Sequence, residues 1–99
     1  MSYEQHLTED RRLVILRLLE EAQGYSLNES LVHDLLGRFA HTVSRDRLRS
    51  DLAWLKEQEL VTVETIAGSV QVATLTRRGG DVAHGRVTVP GVKRPGPRD

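Results

Sequence analysis

Apolar side chains recur at helical spacing through the first part of the chain and predict a helix from Tyr3 to Ala22. The face predicted to cover the core carries Tyr3, Leu7, Val14, Ile15, Leu18, Leu19 and Ala22. Leu13 and Leu16 project nearly opposite that face, where they form a second, smaller apolar strip. The helix is therefore predicted either to be buried on two sides or to meet a partner.

Capping signals leave the start of this first helix open between two positions. Ser2, followed three residues later by Gln5, is one cap. Thr8 is the other and gives a shorter helix. Gly24 ends the helix, because glycine readily adopts the left-handed conformation of a C-terminal cap.

The segment Ser26-Leu27-Asn28-Glu29 has the form of a capping box, in which a hydroxyl and a carboxylate three residues apart satisfy backbone amides at a helix start. It predicts a second helix that begins at Ser26 and runs to about Ala40. The apolar seam of this helix is expected to consist of Leu31, Leu35 and Phe39, with Val32 and Leu36 beside it.

The next residues, His41-Thr42-Val43, form a short connection to a third helix, for which Ser44 is the expected cap. Its predicted buried stripe consists of Leu48, Leu52 and Leu55. The residues expected to face away from the core are Asp46, Ser50 and Ala53, with Arg47 and Arg49 on the two flanks and Arg45 close to the helix start.

After Gln58 the pattern changes from helical spacing to alternation, in LVTVETI and VQVATLT, which predicts a β-hairpin. A tight turn at Ala67-Gly68 sets a register in which one face carries Val61, Val63 and Thr65 with Val70, Val72 and Thr74. Residues 77–85 are predicted to form a short helix or a turn. Because the chain from Val87 onward is rich in proline, glycine and charge, residues 86–99 are predicted to be a flexible tail after a domain of residues 1–85.

Three helices followed by a two-stranded hairpin, with a short link between the second and third helices, is the order of a winged helix-turn-helix, an α+β fold that is mainly α. Four segments resemble motifs of the winged-helix transcription factors of the PadR and MarR type: Val43-Ser44-Arg45-Asp46-Arg47-Leu48, Leu52-Ala53-Trp54-Leu55, Glu59-Leu60-Val61 and Leu75-Thr76-Arg77-Arg78-Gly79. Residues 2–85 also resemble the small winged-helix proteins encoded by Mu-like phages and prophages, whose biological role is poorly defined.

This resemblance implies a protein whose third helix enters the major groove of double-stranded DNA, so that exposed residues read base edges while arginines hold phosphates. The residues expected to contact DNA are Arg38, Thr42, Ser44, Arg45, Arg47, Arg49 and Ser50. Of these, Arg38 and Thr42 are expected to contact the DNA backbone. The alternative interpretation of the same arginines is a solvated helix face, in which Asp46 and Asp51 offset their charge.

The net charge is zero, from 14 basic and 14 acidic residues, so the total predicts no attraction to nucleic acid. Residues 38–49 nevertheless carry four arginines against one aspartate. The predicted wing has no basic residue between Lys56 and Arg77, and phosphates would repel its glutamates, Glu57, Glu59 and Glu64. Functional binding is therefore expected to need two copies on adjacent half-sites or a basic arm, formed by Arg86, Lys93, Arg94 and Arg98. The alternative is that these residues belong to a disordered C-terminal end that only makes the protein more soluble.

The residues that carry most enzyme and metal chemistry are absent or badly spaced. The chain has no cysteine, and its histidines, His6, His33, His41 and His84, lack metal-ligand spacing, so no metal or cofactor is expected. We expect His41 to reach a phosphate and the other three to be polar surface. Trp54 is assigned to packing at the edge of the core. No Ser-His-Asp arrangement or phosphate-cradling loop is present in the sequence, so the protein is not expected to be an enzyme.

Two functions are compatible with these features of the sequence. The first is a phage or prophage transcriptional regulator, a cytoplasmic homodimer in which Leu13 and Leu16 provide the dimer or partner contact. Coverage of these leucines by the tail or the hairpin within the monomer is the competing explanation. The second function keeps the fold but gives it a protein partner, in phage assembly or host-factor binding, and the acidic wing favours it. The cytoplasmic expectation rests on the lack of an apolar run long enough for a bilayer and on a polar amino end.

Overall fold

The structure is a computed structural model that describes residues 2–97. The α-helices and strands of this part of the chain are α1 (Tyr3–Glu21), β1 (Ser26–Asn28), α2 (Glu29–Arg38), α3 (Arg45–Glu57), β2 (Val61–Ile66), β3 (Val70–Leu75) and α4 (Arg77–Ala83), and a 3₁₀ helix (Gln23–Tyr25) follows α1. The predicted winged helix-turn-helix is confirmed, with β2 and β3 as the wing and α4 where a short helix or turn was expected. No helix within residues 2–97 is both long and apolar enough to cross a membrane.

The start of α2 differs from the prediction, because the predicted capping box forms an edge strand instead. β1 pairs antiparallel with β3, which gives a sheet in the order β1-β3-β2. The Ser26 hydroxyl hydrogen-bonds the Thr74 hydroxyl across that pair at 2.6 Å, so Ser26 is not a helix cap. Asn28 caps α2, and its side-chain oxygen accepts a hydrogen bond from the Leu31 N–H at 2.9 Å. Both residues are good caps, and the strand pairing decides between them.

The register of the wing is one residue away from the predicted one. Ile66 lies opposite Val70, so the two strands are joined by three residues rather than two. Val63 therefore lies opposite Ala73, which is buried, and not opposite Val72 as predicted. A shift of one residue in a strand exchanges its two faces, which is why the inward-facing set of β3 was assigned wrongly.

The buried face of α1 matches the prediction only in part, since Ile15 and Leu19 are fully buried as predicted. Leu13 and Leu16 are 1% and 0% exposed, and they lie in the core beside other buried residues of the same helix. Val14 and Leu18, from the face predicted to be buried, are only partly covered. The expectation that Leu13 and Leu16 form a dimer or partner contact is therefore wrong, because both side chains pack inside the chain. The helix begins at the Ser2 cap, one of the two predicted starts.

The buried face of α2 is rotated away from the predicted seam. Val32 and Leu36 are fully buried, whereas Leu31 and Phe39 are 41% and 56% exposed. The predicted seam and the observed one are neighbouring rows on the same helix. The core lies against the row that contains Val32 and Leu36, so periodicity alone could not choose between them.

The junction of α3, the wing and α4 explains two of the motifs on which the resemblance rests. The Thr76 hydroxyl donates to the Glu59 carbonyl at 2.7 Å and accepts from the Gly79 N–H at 2.9 Å, which caps α4. The Thr76 N–H donates to the Leu60 carbonyl at 3.1 Å. A Cβ on Gly79 would lie 2.0 Å from that carbonyl oxygen, so only glycine fits there. The motifs Glu-Leu-Val and Leu-Thr-x-x-Gly thus meet and hold α4 against the end of α3.

The segment after α4 packs against the helices, so the prediction of a flexible tail from residue 86 is wrong for its first part. Val89 and Val92 are 4% and 5% exposed and belong to the core. Arg12 of α1 donates to the Gly91 carbonyl at 3.0 Å. The N–H of Lys93 is also held by α1, by the carbonyl of Glu9 at 3.2 Å. Two buried valines in a short segment that also contains proline and glycine are too few to form a periodic pattern in the sequence.

Candidate nucleic-acid interface

The orientation predicted for α3 is confirmed. The hydroxyl of Ser44 accepts a hydrogen bond from the Arg47 N–H at 3.1 Å and caps the helix. Because Leu48, Leu52 and Leu55 are buried, the opposite side of the helix is turned toward solvent. The exposed residues of that side are Arg45, Asp46, Arg47, Arg49, Ser50 and Ala53.

Two arginines of this exposed side, Arg45 and Arg47, make no side-chain hydrogen bond or ion pair with any residue of the 2–97 range. Arg38, at the end of α2, and Thr42, in the connection to α3, are exposed as well. The structure therefore leaves these predicted residues, together with Ser44 and Ser50, exposed to solvent. Their guanidinium and hydroxyl groups suit phosphate oxygens and base edges.

Arg49 is held inside the chain, unlike the other predicted arginines of α3. Its Nε donates to the Glu29 carboxylate at 2.7 Å, and its Nη2 donates to the same carboxylate and to the Ser69 carbonyl at 3.1 Å. Glu29 opens α2 and is 3% exposed, while Ser69 lies in the loop of the wing. The guanidinium of Arg49 thus connects α2, α3 and the wing, and the expectation that it stands free for DNA is not met.

This ion pair shifts the pKa of both partners. The hydrogen bonds from Arg49 hold the pKa of the Glu29 carboxyl below its usual value, although burial opposes the shift. The same hydrogen bonds raise the pKa of Arg49 further. Both groups are therefore charged near neutral pH, and Glu29 cancels the charge that Arg49 would otherwise add to the exposed side of α3.

A second cluster of charges ties the buried side of α3 to α1. Asp51, 2% exposed, accepts hydrogen bonds from the Nε of Arg11 and, at 3.4 Å, from the Nε of Arg12. The Arg12 guanidinium lies 3.9 Å from the centre of the Trp54 ring, which confirms that Trp54 serves packing. Asp51 is buried, and its hydrogen-bond partners are Arg11 and Arg12 of α1 rather than the exposed arginines of α3.

Two histidines hold the connection between α2 and α3. The Nε2 of His33 lies 2.6 Å from the carbonyl oxygen of Val43, and the Nε2 of His41 lies 2.7 Å from a carboxylate oxygen of Asp10 on α1. His41 is 5% exposed, so the expectation that it reaches a phosphate is wrong. Burial raises the pKa of Asp10, but hydrogen bonds from His41 and Lys93 outweigh it and bring that pKa below the usual value. Within the described residues, no group of three or more potential ligands is placed to hold a metal ion.

The wing exposes one acidic side chain and several apolar ones, because Glu57 ends α3 and Glu59 lies before β2. Glu64 is exposed on β2, and neither β2 nor β3 contains a basic residue. Ile66 and Val70, which face each other at the end of the hairpin, are 46% and 41% exposed. The strands of the wing therefore carry no positive charge that would attract phosphate.

The second basic block is not a free arm in the part that the structure describes. Arg86 donates to Asp81 at 3.1 Å, and the ammonium group of Lys93 donates to Asp10 at 3.3 Å. Arg94 is exposed, and Arg98 lies outside the described residues. Of the arginines predicted to contact DNA, Arg38, Arg45 and Arg47 therefore remain exposed for an anionic partner.

Sequence reasoning missed the two buried carboxylates, Glu29 and Asp51, that place α3. A signal was available, because each lies on a buried row: Glu29 three residues before Val32, and Asp51 three residues after Leu48. A carboxylate at such a position needs a cation as partner. Which arginine supplies the charge depends on the tertiary fold, which spacing along the chain does not show.

The Glu29–Arg49 pair predicts a loss of stability in acid. Because the folded pKa of Glu29 lies below the ordinary value of 4.5, its stabilisation is complete above that pH and is lost as the pH falls through the folded pKa. Glu29→Gln should lower the free energy of unfolding at pH 7 and flatten its decline in acid, measured by urea denaturation at a series of pH values. Glu57→Gln, at an exposed position, is the control. Equal acid sensitivity of Glu29→Gln and the unchanged protein would contradict this account.

Comparison with known proteins finds relatives in phages and bacteria. The uncharacterized protein gp26 of Escherichia phage Mu is 56% identical over 92 residues, which cover 93% of this chain and 94% of the Mu protein. An uncharacterized protein of Haemophilus influenzae is 46% identical over 78 residues, which cover 79% of this chain and 76% of that protein. No protein-family model matches the chain.

Among solved structures, the chain resembles Sco3205, a MarR family transcriptional regulator from Streptomyces coelicolor whose crystal structure is in complex with DNA. The TM-score is 0.65 at 23% identity, and the match covers 89% of this chain but only 55% of the regulator. The chain thus spans about half the length of this neighbour. At this identity the likeness shows the winged-helix fold alone.

Proposed function

The chain belongs to the family of the phage Mu protein gp26, and from that membership and its fold we propose that it is a phage or prophage transcriptional regulator that binds duplex DNA through α3. The observation that carries the proposal is the accessibility of Arg45 and Arg47, whose helix is fixed by buried leucines on its other side. The DNA complex of the winged-helix neighbour supports it.

In this proposal the exposed end of α3 enters the major groove, which has room for an α-helix. Arg45 and Arg47 bind phosphate oxygens or a guanine edge, and Ser50 faces the bases. Arg38, Thr42 and Ser44 contact the DNA backbone beside the groove. Arg49 contributes indirectly, because it holds the wing and α2 in place against the helix that binds.

The test is a fluorescence-anisotropy titration with labelled duplex DNA at low salt, repeated at increasing salt. With two or three phosphate contacts per chain, the logarithm of the binding constant should fall with the logarithm of the salt concentration with a slope of about −2 to −3. The Arg45→Ala/Arg47→Ala double variant should bind at least about tenfold more weakly and reduce that slope by about 2.

The matched control is Lys56→Ala/Arg77→Ala, which removes the same charge from exposed positions at the far end of α3 and on α4. It should bind nearly as well as the unchanged protein. Equal losses in both double variants would reduce the effect to total charge and would remove α3 from the mechanism. Circular dichroism and melting temperature show whether each variant is folded.

A second candidate function, a protein-interaction module in phage assembly or host-factor binding, is favoured by the wing. A hairpin that carries Glu64 and no basic residue, with Ile66 and Val70 exposed at its end, suits a protein surface better than a phosphate backbone. The same titration separates the two functions, because this module would show no binding to duplex DNA at low salt.

A further inference from the structure

A groove of about 970 Å³ lies beside α1, and its floor is apolar. Val14 and Leu18 of α1 line it, and they belong to the apolar strip that the core leaves partly uncovered. Phe39, at the end of α2, lines the groove as well and is 56% exposed. The sequence predicts that a helix with two apolar strips is buried twice or meets a partner. In the structure the strip with Leu13 and Leu16 is buried, so the strip with Val14 and Leu18 is the one that remains available for a partner.

The rim of this groove carries unpaired charges of both signs. Arg17 and Glu21 lie on α1, and Arg94 lies on the C-terminal segment opposite. None of these three makes an ion pair with another residue of the 2–97 range. A nucleic acid, or a peptide with charges of one sign, would match only part of such a rim. A second copy of the chain presents both signs, and its zero net charge causes no overall repulsion.

From these observations we propose that a second copy of this chain docks on the groove and forms a twofold-symmetric dimer. Val14, Arg17, Leu18 and Glu21 are spaced three and four residues apart, so they form one stripe along α1. Two such helices that lie antiparallel bury Val14 and Leu18 between them. Arg17 of each copy then reaches the partner's Glu21, and the symmetry makes this ion pair twice. Phe39, which lines the same groove, lies at the edge of this contact and loses part of its exposed apolar surface there.

This dimer goes beyond the proposed function and does not depend on it. No residue that lines the groove belongs to α3 or to the wing. Two copies joined along α1 therefore keep both α3 helices accessible. The dimer would nevertheless serve DNA binding, since two copies supply the second set of phosphate contacts that a chain of zero net charge lacks.

The dimer is tested without DNA, by sedimentation equilibrium of the full chain from about 1 µM to about 1 mM. The apparent mass of the unchanged protein should rise from 11.1 kDa toward twice that value. Arg17→Glu and Glu21→Arg each place like charges across the interface, so each should weaken the dimer about tenfold or more. The combined Arg17→Glu/Glu21→Arg variant restores opposite charges across the interface and should recover the dimer.

Glu57→Arg, a charge reversal at an exposed position outside the groove, is the control and should dimerise normally. A mass that stays at one chain up to the highest concentration would overturn the proposal. So would a dimer that neither single reversal weakens, or a loss that the combined variant fails to rescue. Because no DNA is present, these outcomes are independent of whether the proposed DNA binding is found.

Discussion

Replacement of Asp51 by asparagine is expected to lower the free energy of unfolding by about 3–5 kcal/mol, a large part of the stability of a domain of this size. The side chains of Arg11 and Asp51 are 6% and 3% exposed, so the guanidinium of Arg11 would lose its counter-charge in a place that water hardly reaches. Removal of one partner from a buried pair leaves an uncompensated charge, and that residual charge is the main cost. Urea denaturation at pH 7 measures the effect.

Two further variants separate the buried charge from other effects of Asp51→Asn. Asp34→Asn makes the same chemical change at an exposed position of α2 and should alter stability by less than about 0.5 kcal/mol. Arg11→Met/Asp51→Leu removes both charges and should regain most of the loss, because apolar side chains of similar size suit a buried site. A loss for Asp51→Asn no larger than that for Asp34→Asn would mean that the cluster is solvated.

The sequence predicts an element correctly where its apolar spacing and its capping residues are compatible with a single structure. α3 has leucines on a single stripe and one good cap at Ser44, so both its bounds and its exposed face follow from the residues alone. The wing follows from alternation on both sides of Ala67-Gly68. The register of the wing does not follow from the sequence, because a loop of two residues and a loop of three residues are both compatible with the side chains at the turn.

The errors arise where two local patterns compete and a distant part of the chain decides. α1 has two apolar strips, and Leu13 and Leu16 are buried in a core that also includes residues far along the chain. Ser26 and Asn28 are both good caps, and the pairing of β1 with β3 selects Asn28. These decisions depend on tertiary contacts, which neither propensity nor spacing contains.

In the candidate site, too, some features follow from the local sequence and others depend on tertiary contacts. The exposure of Arg45, Arg47 and Ser50 follows from the helical stripe of α3, and the structure agrees with it. The capture of Arg49 by Glu29 does not follow, since these residues lie on different helices and their meeting depends on the angle between α2 and α3. The sequence can thus indicate which arginines are exposed, but not which of them forms an ion pair with a carboxylate in the folded chain.

Truncation of the chain after Thr88 tests the other large departure from the sequence-based prediction. A flexible tail can be removed without effect on stability, whereas this segment buries Val89 and Val92 in the core. Loss of two buried valines, together with the hydrogen bond from Arg12 to the Gly91 carbonyl, should lower the free energy of unfolding by about 3 kcal/mol. Gly91 also packs against Trp54, where an added Cβ would lie 2.6 Å from the ring, so near-ultraviolet circular dichroism of that tryptophan should change.

The matched point variants are Val89→Ala/Val92→Ala, with Val70→Ala at a position that is 41% exposed as the control. The double variant should lose about 1–3 kcal/mol, since each change removes two buried methyl groups, and the control should lose less than about 0.5 kcal/mol. Truncation after Lys93 keeps both valines and the bond to Gly91, so it should retain nearly full stability. If truncation after Thr88 were equally harmless, the C-terminal segment would contribute nothing to the core. The sequence-based division at residue 86 would then be correct after all.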